Sequence, residues 1–311
     1  MTQTYEPVRQ AQASRLNQKR EALRELFPEN KCVLLQQSES SNITDAALID
    51  HLFYLALDLA NAKKSDALER LDHAVRGWSV SSAAQGQLMC ISRSDCVHVA
   101  DSAFQSPIYL YDFFRNEPQQ AAPWLAAARL YLEGTGFSEL VDRSMGMLIE
   151  LDRKSEGEHL ESYTITALHA SIFMDSHAMA IRNAETLVHE SAHNWLNYLF
   201  DHFDEPLPEQ PRWLSPWRGV ERPVAGMVHA FVAFSYVVLF LRTALKRLDL
   251  PAAEAEYAAL QARAQSARLS AMAGSLDDIL SHLQTPMIAE VIETLFRAAT
   301  RPEAPAEQAM N

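Results

Sequence analysis

The chain has 311 residues, with 27 Lys and Arg against 40 Asp and Glu and a formal charge of −13. Hydrophobic residues make up 48% and charged residues 22%, the balance of an ordinary globular chain, which excludes a disordered, collagen-like or low-complexity protein. The acidic balance argues against nucleic acid and against anionic membrane surfaces as partners, because both grips need basic surface.

Only nine Gly, set among Ala- and Leu-rich runs, favour a helix-rich fold. Residues 6–27 read as a charged amphipathic helix ending at Pro28. Residues 43–63 read as a second, with Leu48, Leu52, Leu55 and Leu59 at helical spacing. A third helix is expected over 65–79. Between 80 and 110 the texture changes. The short apolar runs 87–91 and 96–99 suit a hairpin or connecting strands. Residues 123–132 read as a helix closed by Glu133-Gly134-Thr135-Gly136. Runs at 145–151 and 164–174, rich in Ile, Leu and aromatic residues, read as strands. A long helical pattern over 178–202 follows, with Asp175 or Ser176 as its expected cap. Pro206, Pro208, Pro211, Pro216 and Pro223 then break the chain. Helices are expected over 223–246, 251–273 and 285–299, and the tail from Pro302 is expected to be disordered.

These elements predict a mostly α fold with a small β-sheet, of α+β type. The long 178–202 helix and the apolar 223–246 helix are expected to form the functional site. The predicted organisation is a helical N-terminal region at 1–135, a catalytic region at 136–300 and a disordered tail at 301–311. The N-terminal region suits either scaffolding or the binding of a peptide partner. Cys32, Cys90 and Cys96 are too few and too odd in number for a disulfide framework, and their spacing fits no zinc pattern. The N-terminal residues are polar, with no apolar signal core, so a cytoplasmic setting is expected. Residues 223–241 carry no formal charge and approach membrane-spanning length. Gly226, His229 and Ser235 inside the stretch, and no second such stretch, favour a buried central helix over a membrane helix.

The chemistry concentrates in the 178–202 helix. His189-Glu190-Ser191-Ala192-His193 is an H-E-x-x-H motif. Two His at i and i+4 lie on one helix face, so both imidazoles reach one metal ion. Glu190 sits about 100° round the helix from His189. From there it contacts a metal-bound water or a hydrogen-bonding group behind the ligands more easily than it joins both His as a ligand. The positions that a metzincin would fill with Gly and His are Leu196 and Leu199, so that class is excluded. His202 is on a different phase. Glu205, Glu209 and Glu221 lie in the proline-broken segment, not on a helix that would offer a gluzincin ligand. His229 is the preferred third ligand. An imidazole inside the most apolar helix is costly to bury, and a metal partner accounts for it. Gly226, three residues earlier, leaves room for the close approach of another helix or a small ligand. Arg218 and Arg222, just before that helix, are suited to bidentate binding of a carboxylate. Trp213 and Trp217 either pack this segment or wall a pocket.

In combination and order, H-E-x-x-H-N at 189–194, S-P-W-R-G at 215–219 and R-P-x-x-G-x-x-H at 222–229 resemble the αKG-HExxH-type family of peptide β-hydroxylases. The resemblance covers about residues 140–245. It departs from the family pattern at Ala230, where Gly is expected, and over Gly219-Val220-Glu221-Arg222. It implies non-haem Fe(II) bound by His189, His193 and His229, with 2-oxoglutarate and O2 as cosubstrates. Arg222 or Arg218 would then hold the distal carboxylate of 2-oxoglutarate. The implied activity is a dioxygenase hydroxylating an unactivated carbon of a peptide or amino-acid residue. The alternatives are a zinc metallopeptidase with Glu190 as general base, and a metal-binding or helical interaction module without turnover.

Overall fold

The computed structural model describes residues 5–30, 32–36, 42–76, 88–99, 106–114, 122–155 and 157–302. The fold is mostly α with small β-sheets, as composition and periodicity predict. The chain divides into two compact units, Met1–Asp204 and Glu205–Asn311. The boundary expected at 135 and this one fall at different places.

In the first unit, α1 (Tyr5–Leu26), α3 (Ile43–Asn61) and α4 (Ser65–Arg76) follow the expected order, with an unexpected four-residue helix, α2 (Val33–Gln36), between the first two. The end of the predicted 65–79 helix lies outside the described residues, as does the start of the 87–91 run. That run and the next form β1 (Met89–Ser92) and β2 (Cys96–Val99), but not a hairpin with each other. β2 pairs antiparallel with β3 (Ile108–Tyr111). Then come α5 (Pro123–Thr135) and α6 (Ser138–Ser144), the latter a short helix that periodicity does not reveal. β4 (Met147–Lys154) starts two residues later than expected. The predicted 164–174 strand is replaced by β5 (Ser162–Tyr163), a 3-10 turn at Thr166–Leu168 and β6 (Ser171–His177).

The main sheet has the order β1-β4-β6-β5. β1, β4 and β6 are parallel, and β5 is an antiparallel edge strand on β6. Every residue of β6 is buried, as expected of a strand covered on both faces. A close approach fixes one end of this sheet. A Cβ on Gly146 would lie 2.1 Å from the carbonyl oxygen of Ile43, so only glycine lets the start of α3 pack there.

His51 on α3 is fully buried in this core. Its Nδ1 accepts from the Tyr111 amide at 3.0 Å, so Nε2 carries the proton and donates to Ser171 Oγ at 2.9 Å. Burial, followed by the Lys19 charge, pushes its pKa down to about 3. Lys19 ties α1 to α3 through an ion pair with Asp50, and donates to the Ala167 carbonyl at 3.0 Å.

α7 (Ala180–Phe203) leaves β6 and packs on α1, α5, α6 and the sheet. Asp175 and Ser176 do not cap it, because both lie in β6. The entry is fixed by Asn183. Its Oδ1 accepts from the His177 amide at 2.9 Å, and its Nδ2 donates to the His177 carbonyl at 2.8 Å.

The second unit begins with a hairpin that its prolines mask. β7 (Arg212–Leu214) pairs antiparallel with β8 (Glu221–Pro223). α8 (Val224–Arg247) is the centre of this unit, packed by α9 (Ala252–Ala271), α10 (Leu276–Leu280) and α11 (Pro286–Thr300). By length and composition α8 is apolar enough to cross a membrane, yet 78% of its apolar window is buried inside the structure. The expected tail beyond residue 302 lies outside the described residues.

Candidate functional site

His189 and His193 stand on one face of α7, both partly exposed, with Nε2 atoms 3.1 Å apart. Two nitrogens about 2.1 Å from one ion are separated by about 3.0 Å at a right angle and about 3.4 Å at a tetrahedral angle. The pair therefore fits a shared metal ion. Within neither unit do three or more His, Cys, Asp or Glu side chains of the described residues come together as a metal-holding group. The pair supplies two ligands within its own unit.

Asn194, beside His193, is fully buried. Its Nδ2 donates to the carbonyls of Ser144 at 3.1 Å and Ser171 at 3.4 Å. These bonds hold the rotation of α7 against the sheet, and so aim the His face outward. Glu190 is only 2% exposed, and its Oε1 accepts from Ser162 Oγ at 2.7 Å. Ser162 is a site residue that sequence reasoning misses, because it stands 28 residues away with no motif around it.

His229, the expected third ligand, lies on α8 in the second unit. It is partly exposed, where the sequence suggested full burial, and its neighbours Val228 and Ala230 are buried.

The two arginines belong to the hairpin that leads into α8. Ser215 N donates to Val220 O at 2.9 Å and Gly219 N to Ser215 O at 2.8 Å, closing the turn that presents Arg218. The Arg222 side chain lies over Gly226. A Cβ there would stand 2.6 Å from Arg222 Nε, so the room that Gly226 leaves is taken by this guanidinium and not by a second helix. Burial, and then the Arg218 charge, lower the Arg222 pKa. Among the described residues neither arginine has a carboxylate partner. The first turn of α8 carries no acid, and its dipole favours an anion.

Both tryptophans pack this segment down. Trp217 stacks on Phe234 with centroids 4.6 Å apart and donates to Gln265 at 3.0 Å. Trp213 donates to Asp278 at 3.1 Å. Glu205 is also structural, accepting from the Gln284 and Thr285 amides at 2.6 and 2.9 Å.

The remaining histidines of interest serve the fold. His169 is buried against Asp201, at 3.0 Å, and Arg15. His177 accepts from the Met179 amide at 3.0 Å. Cys90 is buried, and burial pushes its thiol up to about 11, so it packs as a small hydrophobe. Cys32, Cys90 and Cys96 are all free.

No protein-family model matches the chain, and none of the curated proteins matches it.

Proposed function

We propose that this protein is a cytoplasmic, non-haem Fe(II)/2-oxoglutarate-dependent hydroxylase of the αKG-HExxH type. It would act at an unactivated carbon of a peptide or amino-acid residue. The observation that carries the reading is the Arg218–Arg222 pair. In a chain of charge −13, Arg222 is half-buried over Gly226 beside a like charge, and no carboxylate among the described residues pairs with either arginine. A partly buried cation in that setting is stabilised by an anionic ligand, and a guanidinium matches a carboxylate through two parallel hydrogen bonds.

On this reading His189 and His193 would hold the iron, and His229 is the third ligand that the sequence favours. When bound, Fe(II) with 2-oxoglutarate and O2 supplies the oxidising power for hydroxylation. Arg222, with Arg218, binds and orients the distal carboxylate of 2-oxoglutarate. Glu190 would stand beside the iron as a hydrogen-bonding group, its Oε1 accepting from Ser162 Oγ. The zinc metallopeptidase reading draws support from that same fixed Glu190 carboxylate, which suits a general base acting on water.

Anaerobic reconstitution of the apoprotein with Fe(II) and 2-oxoglutarate separates the two. The hydroxylase predicts a visible metal-to-ligand absorption band that disappears in His189→Ala, His193→Ala and His229→Ala. No band, together with zinc-dependent peptide cleavage, would reject the hydroxylase. A band that survives in His229→Ala removes that residue from the ligand set.

A further inference from the structure

Ser162 occupies a two-residue edge strand, yet it is anchored on both sides. Before it, Glu161 is clamped by Asp175: the Asp175 amide donates to the Glu161 carbonyl at 2.8 Å, and the Glu161 amide donates to Asp175 Oδ2 at 2.8 Å. Asp175 is itself 1% exposed, and its Oδ1 accepts from the Asp152 amide at 3.0 Å. After Ser162, the Tyr163 ring stacks on Phe173 with centroids 5.0 Å apart and planes 9° apart. The Tyr163 hydroxyl donates to the Pro107 carbonyl at 3.0 Å. A buried carboxylate that satisfies two backbone amides is an expensive way to hold a strand this short. What the arrangement fixes is the Ser162 hydroxyl, 2.7 Å from Glu190 Oε1.

Glu190 is the residue whose freedom matters most at this site. It follows His189 directly, about 100° round the helix and buried, so its carboxylate stays out of line with the imidazoles while it is held, and only a released side chain would turn toward the ion. A hydroxyl donor held on a rigid frame ties one of its oxygens elsewhere. We propose that Ser162 is a positioning residue that keeps the Glu190 carboxylate off the metal held by His189 and His193, with Asp175 bracing the strand that carries it. This rests on the metal reading of the histidine pair.

The test uses the full chain with Co(II) in place of iron, because cobalt d–d bands report coordination number directly. Ser162→Ala is expected to shift these bands and to lose intensity as Glu190 joins the coordination sphere. Ser162→Thr, which keeps the donor, is expected to retain the spectrum of the unsubstituted protein. Adding Ser162→Ala to Glu190→Gln is expected to change nothing beyond Glu190→Gln alone. If Ser162→Ala does not fold, Ser162→Val, which suits an edge strand and carries no donor, takes its place.

An unchanged Co(II) spectrum in the donor-deleted variant overturns the proposal while leaving the metal reading standing. A spectral shift that persists in the Glu190→Gln background also overturns it. Failure of the unsubstituted protein to bind Co(II) overturns both.

Discussion

Arg222 lies across Gly226, one helical turn further on, so closely that a Cβ on the glycine would stand 2.6 Å from Nε and 2.9 Å from Cζ. Two of the atoms it would meet are the far end of a flexible side chain, which can move aside, and the third, Arg222 Cβ at 3.1 Å, has to give by only a few tenths of an ångström. Gly226→Ala should therefore keep the fold, and the better helix propensity of alanine should add up to about 1 kcal/mol. The displaced guanidinium should weaken 2-oxoglutarate binding tenfold or more, on the order of 1.4 kcal/mol. Thermal melting and equilibrium titration of 2-oxoglutarate measure the two effects in one variant. A weaker melt with unchanged binding would contradict this account.

The histidine pair makes a separate prediction. His189→Ala and His193→Ala each remove one of two nitrogens that stand 3.1 Å apart, and each should abolish tight Fe(II) or Zn(II) binding. His169→Gln, at a residue buried against Asp201 and Arg15, should instead lower stability and leave metal affinity as it was. Metal content after dialysis, set beside denaturation midpoints, distinguishes these patterns.

His51 sets a pH dependence whose direction follows from its partners. Its pKa is about 3 in the folded protein, against an ordinary 6.5. Between those values the unfolded chain takes up a proton that the folded chain refuses. Stability is therefore full above about pH 6.5 and falls as pH drops toward 3, by up to about 1.4 kcal/mol per pH unit from this residue. His169, whose pKa burial lowers, acts in the same direction. Urea unfolding midpoints from pH 7 to 4.5 should decline in the unsubstituted protein. The decline should be shallower in His51→Asn, whose starting stability is lower.

Asn194→Ala should cost about 1–3 kcal/mol, because the buried carbonyls of Ser144 and Ser171 lose their shared donor. It should also weaken metal binding, since this contact sets the rotation of α7. A variant that melts lower with unaltered metal affinity would show that the helix is held in register by packing alone.

By itself, the sequence determined the helical periods and the punctuation between them. α1, α3, α7, α8, α9 and α11 fall within a few residues of where apolar spacing and proline place them. It determined the histidine pair as well, because i and i+4 on one helix need no tertiary information to share a face. It missed α2, α6, α10, the β7–β8 hairpin and the true form of residues 164–174. Short elements carry too few residues for a period to show, and strand pairing between distant segments overrides local preference.

Only the tertiary structure decided what individual polar groups do. Asp175 looks like a helix cap in sequence but braces an edge strand, because β6 extends to His177 and carries it into the sheet. Gly226 looks like room for another helix or a small ligand, but the Arg222 side chain lies over it. Ser162 has no sequence signature, yet it reaches Glu190 across 28 residues. Each of these depends on where a second segment of chain arrives. A one-dimensional pattern encodes the face that a residue occupies, and folding selects the partner that meets it.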